Sequence, residues 1–226
     1  MPVVSFPWFV VHELVAKVIG ARLAAQANNW PRTTDKIFMG TEIEKKYRVS
    51  SAEAESLRVR LRAAGAEARG EEFEENTLYA GPGLERGNRV LRLRRVRGGR
   101  SVFTFKESMP GAAGIKRRRE DETEVADPEA LAAILDALGY VPAALYEKRR
   151  ETWLVAGVEV VLDELPFGRF VEIEGDEESI LEAERLLELT ETAAEPKSYP
   201  QLTLEQGKRR GASVEARFEK GGHENG

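Results

Sequence analysis

Between residues 41 and 206 the chain alternates apolar and polar positions with a period of two, and the polar positions are charged in stretch after stretch. Such alternation predicts β-strands, because successive side chains leave a strand on opposite faces. In TEIEKKYRV, Glu42, Glu44, Lys46 and Arg48 share one face. In VLRLRR, Arg92 and Arg94 stand opposite Leu91 and Leu93, and Lys106 closes VFTFK. Arg118, Glu120, Glu122 and Glu124 share a face of RREDETEV. Lys148 and Arg150 do so in EKRRETW, Asp163 lies in VEVVLDEL, and Glu172 and Glu174 stand opposite Val171 and Ile173 in RFVEIEG.

Helix signals interrupt the strands at three places. Ser51 is read as the cap of SAEAESLRVRLRAAG, which Gly65 ends. Asp127 and Pro128 give DPEALAAILDALG a cap and a first-turn proline, and Gly139 closes it. A third helix is predicted over 177–189, with Ile180, Leu181, Leu186 and Leu187 as its apolar stripe.

A single strand with one charged face is most simply a solvated strand. Several in succession call for another arrangement. The apolar faces can be covered by the three helices, and the charged faces can then line the inside of a closed barrel. Charges placed there need partners. Glu42 and Glu44 would stand ~7 Å apart along a strand, where two like charges repel by about 2 kcal/mol at an effective dielectric of ~20. Lysine and arginine opposite supply part of the balance, and a divalent cation can supply the rest. The remaining basic side chains suit a polyanion, and the arginine fork matches phosphate oxygens.

Composition narrows the chemistry. The chain has 226 residues, 42% hydrophobic and 32% charged, with a net charge of -5. Near-balance of the two signs argues against a nucleic-acid partner, which usually calls for a basic excess. There is no cysteine, so disulfides and thiolate metal sites are excluded. His12 and His223 are the two histidines, both near the ends, and are read as incidental. They allow neither a histidine zinc site nor a Ser/His/Asp triad. A bound metal would have to be held by oxygen, which favours Mg²⁺ or Mn²⁺. Gly81-Pro82-Gly83 lacks the Gly-Lys-Ser/Thr ending of a phosphate loop.

The flanks read differently. Residues 1–38 form an extension whose first 25 residues are apolar but interrupted by Glu13, Lys17 and Arg22. No membrane span is expected there, and no signal peptide, so a cytoplasmic protein is expected. The segment is either an upstream extension before a natural start at Met39 or an amphipathic helix that docks on the barrel or a partner, for example in a homodimer. Residues 39–206 are expected to form the domain. Residues 207–226, rich in Gly, Lys, Arg and Glu, are expected to be a mostly disordered tail.

The ordered set of charges resembles the CYTH superfamily, the triphosphate tunnel metalloenzymes. Glu42, Glu44 and Lys46 match its Glu-x-Glu-x-Lys motif, and Arg92 and Arg94 its Arg-x-Arg strand. Lys106 matches its strand lysine, Glu122 and Glu124 its acidic pair, and Lys148 and Arg150 its Lys-x-Arg. Asp163, then Glu172 and Glu174, and finally Lys197-Ser198-Tyr199 complete the match over about 41–205. The resemblance implies an α+β fold, an eight-stranded antiparallel β-barrel forming a tunnel with helices packed outside. It implies Mg²⁺ or Mn²⁺ on Glu42, Glu44, Asp163, Glu172 and Glu174. It implies a triphosphate-bearing small molecule held by Lys46, Arg92, Arg94, Lys106, Lys148, Arg150 and Lys197, and Arg118 is added as a further substrate contact. Lys46, Lys106, Glu122 and Glu124 are the expected catalytic groups.

Members of the superfamily hydrolyse inorganic, thiamine or nucleoside triphosphates, and one branch cyclises ATP to cyclic AMP. That branch carries a His-Phe pair before the first motif, where this chain has Ile37-Phe38. Triphosphate hydrolysis is therefore the first expectation, cyclisation the second, and a non-catalytic polyphosphate or nucleotide binder the third. Loops 80–89 and 107–115 are expected to shape the tunnel mouths.

Overall fold

The computed structural model describes residues 38–84, 89–110, 114–189 and 194–219. The N-terminal extension through residue 37, with His12, lies outside them, as does His223.

Eight strands close on one another. They are β1 (Phe38–Val49), β2 (Glu67–Ala80), β3 (Arg89–Val96), β4 (Ser101–Met109), β5 (Lys116–Glu124), β6 (Val141–Val155), β7 (Val158–Leu165) and β8 (Gly168–Glu174). Around the barrel the order is β1-β5-β4-β3-β2-β6-β7-β8 and back to β1, antiparallel at every step. The expected eight-stranded α+β barrel is thus present. Closure removes the sheet edges and commits each strand to one inward and one outward face.

The outward faces are apolar and covered by helices. Helix α1 (Ser51–Ala63) and helix α3 (Glu177–Leu186) bury Leu57, Leu61, Ile180 and Leu187 against Tyr47, Trp153, Val160, Val171 and Ile173. Helix α2 (Pro128–Ala137) sets Leu135 against Tyr79, Leu91 and Leu93 on the far side. Each fully buried aliphatic side chain contributes roughly 1.5–3 kcal/mol, so these two cores hold the barrel wall in place from outside.

The helix boundaries follow their caps. Ser50, not Ser51, is the N-cap of α1: its hydroxyl accepts from the Glu53 amide, and Glu53 reaches back to the Ser50 amide. The reciprocal pair fixes the start one residue earlier than the first serine of the helix suggests. Asp127 caps α2 as expected, accepting from the Ala130 amide at 2.9 Å. Gly65 and Gly139 follow α1 and α2 with φ of 72° and 84°, a left-handed conformation that favours glycine.

Two features were not expected from the pattern. Helix α4 (Tyr199–Gln206) is capped by Ser198 in a second reciprocal pair with Gln201. The segment after it, read above as a disordered tail, is in part a hairpin of β9 (Lys208–Arg210) and β10 (Ser213–Ala216). β10 runs parallel to β6 at Ala144–Tyr146, and Arg217 bridges Glu75 and Glu147. Unpaired backbone on β6 and a few well-placed contacts order a segment whose composition alone favours disorder. Gly207 lies where α4 meets this hairpin. A Cβ there would stand 2.6 Å from the Thr203 carbonyl oxygen and 2.7 Å from Val214.

Helix α4 packs against the inward faces of four strands. Tyr199 and Leu202 pack on Leu78, Ala144, Tyr146, Leu165 and Phe170, all from inward positions of their strands. The rings of Tyr199 and Phe170 meet edge to face at 5.3 Å. Beyond this apolar floor the interior becomes charged.

Candidate active site inside the barrel

The register of the strands brings the charged faces together. Glu44 is paired with Glu174 and Lys46 with Glu172 across β1 and β8, and Glu42 with Arg118 across β1 and β5. Lys106 faces Glu120, Arg150 faces Asp163, and Lys148 faces Glu74. Burial is deep: Lys46 and Lys148 are each 1% exposed, and Glu44, Asp163 and Glu172 are buried as well.

The expected five-carboxylate metal set divides in two. Glu42, Glu44 and Glu174 each offer an oxygen, and these oxygens lie within 4.8 Å of one another. Asp163 and Glu172 are engaged with cations instead. Arg150 forks onto Asp163 at 2.8 and 2.7 Å and reaches Glu172 at 2.8 Å. Tyr199 donates to Asp163 at 2.9 Å, and Lys46 stands 3.7 Å from Glu172. Glu42 and Glu44 also face cations, so what sets the first three apart is their convergence.

The converging three fit a hard divalent cation. Glu42 Oε2 and Glu44 Oε1 are buried without a hydrogen bond. Lys116 and Arg118 approach Glu44 Oε1 to 3.3 and 3.4 Å, ion-pair distances without hydrogen-bond geometry. Burial, and then the charge of Glu42, push the Glu174 carboxyl up to about 8. Burial acts the same way on Glu42, but Lys106, at 2.7 Å, and Arg118 more than offset it and leave its pKa lowered. An all-oxygen set with crowded like charge is the donor chemistry of Mg²⁺ or Mn²⁺.

Across the interior lies a basic arc. Arg94 reaches Glu122 at 3.0 Å, and Thr104 donates to the same oxygen at 2.9 Å. The Nε atoms of Arg92 and Arg94 are buried and unpartnered. Burial pushes the Lys46 ammonium down to about 8, aided by Lys116 and Arg118 and opposed by Glu172. Its Nζ lies 4.0 Å from the centre of the Tyr199 ring, so the floor also faces a cation. Orphaned guanidinium donors on β3, across the barrel from a carboxylate triad on β1 and β8, suit an anion that bridges cation and arginine.

Two expected site residues are placed elsewhere. Lys197 is half exposed and pairs with Glu205 at 2.7 Å, both on the outer segment that carries α4. Glu124 is exposed at the end of β5, opposite Val102, while Glu122 two residues earlier is inside. Glu124 shares the face of Glu122 but sits at the exposed end of the strand, beyond the last residue that pairs with β1. In turn, Glu74 is fully buried in the interior, where the Asn76 amide donates to it, and Thr104 is fully buried as well. The alternation in EEFEENTLYA carries the signal for Glu74 and Asn76, diluted by four glutamates in a row of seven residues.

Fold and site together define a closed barrel whose interior sets a cluster of three carboxylates among buried lysine and arginine side chains. Residues 40–207 match the family model of the CYTH domain, and the chain belongs to the CYTH family. Solved structures agree. The PH1012 protein of Pyrococcus horikoshii OT3 is 29% identical, with a TM-score of 0.63 over 71% of this chain and 98% of that one. The PH1819 protein of the same organism is 28% identical, with a TM-score of 0.60 over 73% and 98%. The Hippeastrum protein HpAC1, described as having a dominant triphosphatase activity, is 18% identical over 71% and 94%, with a TM-score of 0.57, a likeness of fold. No curated protein sequence matches the chain. Among the described residues no helix is long and apolar enough to cross a membrane.

Proposed function

We propose that the chain is a metal-dependent triphosphatase that hydrolyses inorganic, thiamine or nucleoside triphosphate inside the barrel. The observation that carries this reading is the convergence of Glu42, Glu44 and Glu174 oxygens within 4.8 Å, in one interior with the buried, unpartnered Nε donors of Arg92 and Arg94. Glu42, Glu44 and Glu174 would hold Mg²⁺ or Mn²⁺. When bound, such an ion neutralises phosphate charge and favours in-line attack by water on the terminal phosphorus.

The chain's own residues do the rest. Arg92 and Arg94 donate to the equatorial oxygens of the transferring group, with Glu122 and Thr104 fixing the Arg94 fork. Lys106 and Lys148 stabilise the departing diphosphate. Asp163 and Glu172 orient Arg150 and Lys46 rather than binding the ion. The β-barrel walls exclude bulk water, which strengthens each of these contacts.

The test is phosphate release from tripolyphosphate, thiamine triphosphate and ATP with each metal, alongside an assay for cyclic AMP. Phosphate from at least one substrate, abolished in Glu44→Gln, is the expected result. Cyclic AMP from ATP would place the chain in the cyclase branch, and polyphosphate binding without product would make it a binding module. Either replaces the proposal.

A further inference from the structure

Glu74 sits on the wrong side of the barrel to serve the carboxylate triad. It is fully buried on β2, and its strand partner is Lys148. Lys148 Nζ lies 3.2 Å from one of its oxygens and Arg94 Nη1 3.5 Å from the other, while the Asn76 amide donates to it at 3.1 Å. Burial alone would raise its pKa. Lys148, then Arg94, Arg150 and Arg92, hold it well below the usual carboxylate range. It is therefore a fixed negative charge among the very cations that the proposed function assigns to phosphate.

A buried carboxylate in a phosphate-binding arc has a cost that a glutamine of the same shape would avoid. The arc would attract polyanions more strongly without it. An anion entering beside Glu74 must share Lys148 and Arg94 with a charge that cannot leave. The same competition eases the departure of whatever anion is left after reaction.

We infer that Glu74 acts as a built-in competitor for Lys148 and Arg94, a residue that limits how tightly the barrel holds polyphosphate and so speeds release of the diphosphate product. This rests on reading the arc as the phosphate site. It assigns Glu74 neither to the metal nor to the reacting atoms, but to specificity between holding and letting go.

The experiment compares wild type with Glu74→Gln. Calorimetry with pyrophosphate and with tripolyphosphate, each with Mg²⁺ or Mn²⁺, is paired with steady-state and pre-steady-state phosphate release. Glu74→Gln is expected to bind pyrophosphate at least tenfold more tightly. It should lower KM for the hydrolysed substrate and lower kcat, with a first-turnover burst as release becomes limiting. Glu74→Asp, which draws the charge back by one methylene, should shift the same way by a smaller factor, and supplies the comparison if the glutamine variant does not fold.

A purely structural role predicts the opposite. Lys148 and Arg94 would lose their anchor, pyrophosphate would bind more weakly and KM would rise. That result, or unchanged affinity in both variants, overturns the inference while leaving the phosphate site intact. Failure of wild type to bind either polyphosphate overturns the site itself and the inference with it.

Discussion

Glu184 gives the sharpest test of how the barrel wall is held. It is buried on α3, where its carboxylate accepts from the Tyr47 hydroxyl and from Lys45 Nζ, the latter at 2.5 Å. Tyr47 is completely buried, and its phenol is pushed up by burial and by this carboxylate. Lys45 and Tyr47 are the outward neighbours of Glu44 and Lys46 on β1, so the clamp fixes the strand that presents Glu42, Glu44 and Lys46 to the interior. Glu184→Ala removes a charged hydrogen bond worth about 1.5–3 kcal/mol and strands a buried hydroxyl. Lys45 adds little, being partly exposed. We expect a loss of about 3 kcal/mol, or a fall in Tm of roughly 6–12 °C for a domain of this size. Tyr47→Phe should lose about 2 kcal/mol, since Glu184 keeps Lys45. The double variant has no stranded hydroxyl and should also lose only about 3 kcal/mol, leaving a coupling of about 2 kcal/mol. Urea denaturation in EDTA measures all four chains. Additive losses near 5 kcal/mol would refute the reasoning, because they would mean the two side chains stabilise the fold independently.

Two further outcomes bear on the site. Mg²⁺ or Mn²⁺ at about 100 times its Kd should stabilise the wild type by about 2.7 kcal/mol, seen as a Tm rise of several degrees that EDTA reverses. Glu42→Gln should lose most of that rise, and an undiminished rise would place the ion elsewhere. Lys197→Ala should change kcat/KM by less than about threefold, because its exposed pair with Glu205 is worth about 0–1 kcal/mol. A hundredfold loss would show that Lys197 reaches the substrate after all.

Much of this was legible in the alternation of charge. Glu42, Glu44, Lys46, Arg92, Arg94, Lys106, Lys148, Arg150, Asp163 and Glu172 all face the interior because a strand with one apolar face has a single way to bury it. What period-two reading cannot provide is pairing. Asp163 and Glu172 look identical in sequence to the carboxylates that converge, and only the fork of Arg150 separates them. Nor can it say where along a strand the inward face opens to solvent, which is why Glu124 resembles Glu122 in sequence. Helix α4 leaves little trace in the pattern because its eight residues carry two buried apolar side chains and no long stripe, so its place depends on contacts with Phe170 and Tyr146 that lie far off in sequence. The hairpin after it has a composition that argues for disorder and a partner, β6, that argues otherwise.

Tyr199 and Leu202 pack across the inward side chains of four strands, and a barrel closed there would be blind at one end. A long polyphosphate chain cannot be drawn straight through it. Such a polymer would have to enter tip first and leave its remaining length trailing outside, so cleavage would nibble from a terminus. In the proposed triphosphatase, substrate and product would then share one doorway, and the product would have to leave along the path of arrival before the next substrate could enter.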